Sequence, residues 1–301
     1  MTARSKRCRA LTAAALIFII GACSGNPDSS TETLDSTTAS TEHPVTTTPS
    51  TTDVGPATTD AGPATTAEGL IEVREVLVVG DSLSRGLFPP LAAAFEGGTT
   101  SCAFELCVGF IAPESRAKWE EIFAENPPDI VVVLLATWEN IVLRGNEVID
   151  TNQPGWQEKY QREIIDPWIE LASGSGSHVV WIAMPQTGEP ERSAQHQELN
   201  ALWSEAAKNE PTISWVDGAT ILAGPDGGYV EIDRSVEPPI RLFNIDGLHL
   251  CPGGAQRLAE PVLDLLREKF GLESNSGWQE SGWASDTEAF VPQECPSVAT
   301  D

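Results

Sequence analysis

Between residues 72 and 270, short unbroken apolar runs alternate with longer stretches in which apolar positions recur at helical spacing. The apolar runs predict strands at Glu75–Val79, weakly at Thr99–Ala103, at Asp129–Leu135, at His178–Met184 and at Ile213–Val216. Their Val, Ile and Leu show almost no polar alternation, as expected of strands covered on both faces. The intervening stretches predict helices at Leu83–Phe95, Pro113–Glu125, Trp156–Ala172, Glu191–Asn209 and Gly253–Phe270. Pro89 and Pro90 fall inside the first helix and are expected to bend or restart it, because proline donates no hydrogen bond and its ring meets the carbonyl four residues back. The alternation predicts one α/β domain at 70–270, a three-layer sandwich around a mainly parallel sheet. The stretch Thr137 to Pro154 is too long for an ordinary connection and is expected to shape a substrate site.

The pattern fails at both ends of the chain. Arg4, Lys6, Arg7 and Arg9 precede an apolar run, Ala10 to Ile20, which is followed by Gly21, Ala22 and Cys23. This order is that of a bacterial lipoprotein signal peptide over residues 1–22, with Cys23 as the lipidated N-terminus after cleavage. The run is shorter than the roughly 20 residues that cross a bilayer. An exported chain held at the outer face of the cell membrane by lipid alone is therefore expected. Residues 24–69 contain twenty Ser or Thr in forty-six positions. Such a composition buries no core and predicts a disordered tether over 23–69, spanning on the order of 40 Å. Residues 271–301 carry two Ser-Gly-Trp triplets and little periodicity. They predict an irregular tail whose tryptophans either fill a groove or offer a stacking platform to a sugar.

Charge narrows the partners. The chain carries 18 basic and 44 acidic residues; residues 1–22 hold four of the former and none of the latter, leaving 14 against 44, a net −30, after processing. A surface this acidic repels nucleic acid and anionic headgroups, leaving a neutral glycan or a small ester as candidate substrate. Four cysteines remain in the exported part, Cys102, Cys107, Cys251 and Cys295. Three pairings are open; Cys102 with Cys107 closes a short loop, and Cys251 with Cys295 pins the tail near His249. The close CxxC pairs of structural zinc sites are lacking, as are HExxH and EF-hand patterns, so neither a metal nor a cofactor is expected.

In open parallel sheets the ligand crevice lies beyond the carboxyl ends of the strands. After the first strand come Gly80, Asp81 and Ser82. A serine there places its hydroxyl on the crevice rim and its own amide among the unpaired N–H groups of a helix start, where a developing oxyanion is stabilised. Asp81 and Ser82 are also ordinary helix caps. A serine attacks only when a neighbouring base takes its proton and a carboxylate orients that base. Of the four histidines, His43 lies in the tether, His178 opens a strand at the wrong end of the sheet, and His196 has no carboxylate at matching spacing. His249 follows Asp246 by three residues and precedes Pro252, Gly253 and Gly254, a helix start. That spacing lets Asp246 accept one ring N–H while the other ring nitrogen faces Ser82.

The stretches GDSLS at 80–84, DIVVVLLA at 129–136 and DGLHLCPGGAQRLA at 246–259 resemble the SGNH hydrolases, or GDSL family, over roughly residues 72–270. Closest in kind are bacterial SGNH domains associated with membrane acyltransferases. The resemblance implies a flavodoxin-like fold, Ser82 as nucleophile, His249 as general base and then acid, and Asp246 as its orienter. It also implies an exported serine esterase or O-acyltransferase acting on O-acyl groups, chiefly acetyl, of cell-envelope glycans. A separate membrane acyltransferase would be the donor if the reaction is transfer. The family's third block, commonly Gly-x-Asn-Asp, is here Ala136, Thr137, Trp138, Glu139 and Asn140, so Trp138 stands where the oxyanion-binding asparagine is expected. Asn140 is the substitute donor, Gly109 the second-block glycine with Gly98 as its rival, and Trp138 and Glu139 are candidates for the substrate loop. The missing asparagine keeps open a silent relative that binds envelope glycan or scaffolds a partner.

Overall fold

The structure, a computed structural model, describes residues 73, 75–96, 103–108, 119–124, 127–135, 140–143 and 147–298, with the backbone alone at 103–108, 140–143 and 147–148. Strands β1 (Glu75–Gly80), β2 (Ala103–Val108), β3 (Ile130–Leu134), β6 (His178–Ile182) and β7 (Ile213–Val216) form one sheet in the order β2-β1-β3-β6-β7. Every neighbouring pair is parallel. A hairpin, β4 (Asn140–Leu143) with β5 (Glu147–Asp150), and a short pair, β8 (Ile232–Asp233) with β9 (Ile240–Arg241), lie outside it. The second strand therefore falls later than the apolar pattern predicted, at 103–108. Its sequence, AFELCV, is interrupted by Glu105 and so lacks the unbroken run that marked the central strands.

Alternate residues of the central strands feed two cores. Val76, Val78, Ile130, Val132, Val180 and Ile182 pack with α1 (Ser82–Phe95) and α7 (Pro252–Phe270). Leu77, Val79, Val131, Val133, Val179 and Trp181 pack on the other face, with α2 (119–124), the helical stretch from Trp156 to Ser175, and α5 (Pro190–Ala207). This is a flavodoxin-like α/β/α sandwich, whose strand order reverses between β1 and β3. In such sheets the ligand crevice lies at that reversal.

Two expectations about helices are corrected. Helix α1 runs unbroken through Pro89 and Pro90. Both rings are buried, so packing offsets the donors they withhold from the carbonyls of Arg85 and Gly86. The helix expected at Trp156–Ala172 is α3 (Trp156–Tyr160), a π-turn at Gln161–Ile165, and α4 (Asp166–Ser175). Pro167 accounts for the π-turn: its ring would meet the carbonyl of Glu163 in regular α-geometry, and a widened turn relieves that clash. The tail packs back on the domain. Trp278 and Trp283 are buried in the core beside α1, which overturns the stacking-platform reading of these two rings. Asn275 caps the end of α1, its amide donating to the Ala94 carbonyl at 2.7 Å and its side chain to that of Glu96 at 2.7 Å.

Candidate active site

Strand β1 ends on Gly80, whose φ of +153° is a conformation other residues rarely adopt. A Cβ there would stand 1.8 Å from the carbonyl oxygen of Leu134. Only glycine lets β1 and β3 converge this closely just before the chain turns into α1. Asp81 then caps the helix, its Oδ1 accepting from the Leu83 amide at 3.0 Å. Ser82 is the first helical residue, so its amide is one of the first-turn donors without an intrahelical acceptor. Both sequence readings hold at once: Asp81 is the cap, and Ser82 stands on the rim.

The other half of the site is a loop between β9 and α7. Gly247 takes a positive φ of 72°, and its amide donates to the Asn244 carbonyl at 3.0 Å, closing a tight turn. Asp246 Oδ1 accepts from the amides of Leu248 at 2.8 Å and His249 at 3.0 Å. Leu250 is buried in the same core as Leu83 and Leu87 of α1, which holds the adjacent His249 over the start of that helix. The result is a connected line. His249 Nε2 lies 2.7 Å from Ser82 Oγ, and its Nδ1 lies 2.6 Å from Asp246 Oδ2.

Burial pushes the Asp246 carboxyl upward, but the hydrogen bonds from the His249 ring and from the His249 and Leu248 amides together outweigh it, and the net shift is downward. Asp246 is thus a carboxylate at neutral pH. That assigns the neutral ring its tautomer: Nδ1–H donates to Asp246, leaving Nε2 to accept from the Ser82 hydroxyl. The side chains of His249 and Asp246 are 37% and 45% exposed, so the line opens to solvent and to a ligand.

The remaining predicted residues divide by position. Asn140 is the first residue of β4, with its backbone alone described. Gly98, Gly109, Trp138, Glu139, Cys102 and the leader with Cys23 lie outside the described residues, as does the side chain of Cys107. Cys251 and Cys295 are disulfide-bonded. His178 is at the amino end of β6, its Nε2 2.9 Å from Ser214 Oγ, far along the strand from the rim. His196 is 1% exposed, with Nδ1 2.6 Å from the Pro185 carbonyl, so it belongs to the packing under the rim. Trp156 is buried in the second core. Among the described residues no three His, Cys, Asp or Glu side chains gather to share a metal ion, and no helix is long and apolar enough to cross a membrane.

The sequence family described as "Protein of unknown function (DUF459)" matches residues 75–265. The chain belongs to that family. The matched region runs from β1 to the last turns of α7 and encloses Ser82, Asp246 and His249. No curated protein matches the chain. Similar solved structures include an α/β hydrolase from the metagenome of Lake Arreo, Spain, at 16% identity over 64% of this chain and 94% of that one, with a TM-score of 0.46. Another is the C-terminal catalytic domain of Streptococcus pneumoniae peptidoglycan O-acetyltransferase A with a methylsulfonyl adduct, at 16% identity, 69% and 99% coverage and a TM-score of 0.39. A third is a GDSL-like lipase from Bacteroides thetaiotaomicron, at 16% identity, 65% and 88% coverage and a TM-score of 0.44.

Two residues that hold this DUF459 site were missed in the sequence. Asn244, 3% exposed, accepts from the Asp246 amide at 2.9 Å through Oδ1 and donates from Nδ2 to Glu294 Oε2 at 3.2 Å. Its place two residues before Asp246 was the available signal, since such residues commonly hold a backbone amide two positions on. For Glu294 the signal was the cysteine beside it.

Proposed function

We propose that the chain is an exported, lipid-anchored serine esterase or O-acyltransferase that acts on O-acyl groups, chiefly acetyl, of cell-envelope glycans. One observation carries this reading: the continuous line from Ser82 Oγ through the His249 ring to Asp246, with contacts of 2.7 Å and 2.6 Å. Asp246 keeps Nδ1 protonated, so His249 Nε2 is free to accept the Ser82 proton as Oγ attacks the acyl carbonyl carbon. The carbonyl oxygen becomes an oxyanion at the start of α1, where the Ser82 amide and the positive end of the helix favour it. As the intermediate collapses, His249 passes its proton to the leaving sugar oxygen, and the acyl group stays on Ser82. Water or a second hydroxyl then adds to the acyl carbon while His249 takes its proton, and collapse returns that proton to Ser82. Esterase and transferase share every step but the acceptor. The leader and tether of the sequence support export and lipid anchoring, and the acidic surface supports a substrate that is not itself strongly anionic. If the chain is a transferase, a separate membrane acyltransferase supplies the acyl group. The competing reading, a silent glycan-binding relative, gives no reason to keep a serine at hydrogen-bond distance from an oriented histidine.

The test uses residues 70–301, which include all of the described core and tail. Incubated with a fluorophosphonate probe and a chromogenic acetyl ester, the protein should label at Ser82 and release acetate. Ser82→Ala should abolish labelling, and Asp246→Asn should lower kcat by on the order of 10³-fold or more, because it stabilises the wrong tautomer. A folded protein that neither labels nor turns over ester sinks the enzymatic reading.

A further inference from the structure

We propose that Glu294, held in place by the Cys251–Cys295 disulfide, is a positioning residue for the Asp246–His249 loop. The inference rests on the reading of Ser82, His249 and Asp246 as an acyl-transfer triad. Asp246 and His249 lie on no strand or helix, so something else must fix the loop that carries them. Packing does only part of this. Leu250 is anchored in the core, but Ile245 is 66% exposed at the other end of the turn. There the tail takes over: the Glu294 carbonyl accepts from the Ile245 amide at 3.0 Å, and Glu294 Oε2 accepts from Asn244 Nδ2 at 3.2 Å.

Asn244 is the link. Its backbone amide donates to the His249 carbonyl at 2.8 Å, and its side-chain Oδ1 accepts from the Asp246 amide at 2.9 Å. A carboxamide has one accepting and one donating end, and only the first suits the Asp246 amide. A carboxylate on Nδ2 decides which end faces Asp246, so Glu294 sets the orientation of the group that holds the aspartate. An exposed carboxylate on a free tail would be a weak partner, since ordering it costs as much as one exposed contact returns. Cys295 removes that cost. It directly follows Glu294 and is bonded to Cys251, two residues after His249, so the tail is tied beside the loop it braces. Arg241 Nε, donating to the Pro296 carbonyl at 2.9 Å, extends the brace. A dithiol reductant would undo it, giving two electrons and two protons to the Cys251–Cys295 bond to leave two thiols and the reductant's own cyclic disulfide.

The experiment compares the oxidised protein, Glu294→Ala, Glu294→Gln and the dithiothreitol-reduced protein. Ester kcat and KM, the rate of fluorophosphonate labelling, and the low-field proton resonance of the His249–Asp246 hydrogen bond are measured on each. Near-ultraviolet circular dichroism, which reports the buried Trp278 and Trp283, confirms that each sample is folded. Glu294→Ala and reduction should each lower kcat and labelling roughly tenfold with KM within about twofold, because a displaced base loses reactivity before it loses substrate. Both should also weaken the low-field resonance. Glu294→Gln should restore all three, since its amide oxygen still accepts from Asn244. Wild-type kcat and resonance in both the alanine variant and the reduced protein would overturn the proposal, as would a glutamine variant as impaired as the alanine one. If the unmodified protein neither labels nor turns over, the enzymatic reading fails on its own. The resonance alone then decides the positioning role, upheld by its loss in Glu294→Ala with recovery in Glu294→Gln and overturned otherwise.

Discussion

Gly80 and Asp246 show how single residues set this site. The close approach at Gly80 is steric: a methyl group 1.8 Å from a carbonyl oxygen must move a strand, and an L side chain at a φ of +153° is strained besides. Gly80→Ala should therefore lose about 3 kcal/mol or more in urea unfolding, with loss of ester turnover in whatever remains folded. A loss under about 1 kcal/mol would mean that β1 and β3 separate easily, and that something other than this contact demands glycine. Asp246 works through its lone pairs. One oxygen holds two amides of its own loop and the other holds the ring, so the same carboxylate shapes the turn and orients the His249 ring.

Among the elements, α5 and β6 are joined by an aromatic stack. Trp203 of α5 stacks on Trp181 of β6 with centroids 3.6 Å apart, meets Trp168 of α4 edge-on at 6.0 Å, and donates from Nε1 to the hydroxyl of Tyr160 at 3.2 Å. Burial, eased slightly by that donor, pushes the Tyr160 hydroxyl up to about 12, so it stays protonated. Trp203→Ala should cost about 3–5 kcal/mol, as large-to-small changes in packed aromatic clusters do, and it orphans the Tyr160 hydroxyl. Trp203→Phe keeps the stack and should cost clearly less in the same denaturant titration. Equal costs for the two would show that Trp203 stabilises the fold through its hydrogen bond to Tyr160 and not through the stacked ring. The π-turn at Gln161–Ile165 belongs to this scale too: the apolar periodicity predicted one helix, and Pro167 altered its pitch.

On the scale of the whole molecule, acid should begin to destabilise the protein before most of its carboxylates are titrated. Burial holds the rings of both His178 and His196 down to about 4, with Lys269 adding to the effect on His178 and a hydrogen bond to Pro185 opposing it on His196. Unfolded, these rings bind a proton near pH 6.5. Between about pH 6.5 and 4 the unfolded chain thus holds protons that the folded chain lacks, so stability falls as pH falls through that window. For the buried His196 alone the full loss is on the order of 3 kcal/mol. Unfolding free energies measured at pH 7, 6 and 5 should decline steadily, with net proton uptake on unfolding. A flat profile over that range would show that these rings are protonated when folded.

The sequence alone was enough for the α/β alternation, four of the five sheet strands, and the choice of Ser82, Asp246 and His249, because each rests on local pattern: unbroken apolar runs, a serine after a strand, and an aspartate–histidine spacing before a helix start. It favoured the Cys251–Cys295 pairing but left three open, and the fold decided. What it could not supply depends on residues distant in the chain. The strand β2, its apolar run broken by Glu105, is recognisable only beside β1, α1 tolerates Pro89 and Pro90 only because the core covers them, and the tryptophans of the tail become core only against α1. The 2.7 Å contact joins residues 167 positions apart, and Asn244 meets Glu294 across 50. Tertiary folding alone brings such groups together, since a hydrogen bond is made at a distance set in space while sequence pattern is read along the chain.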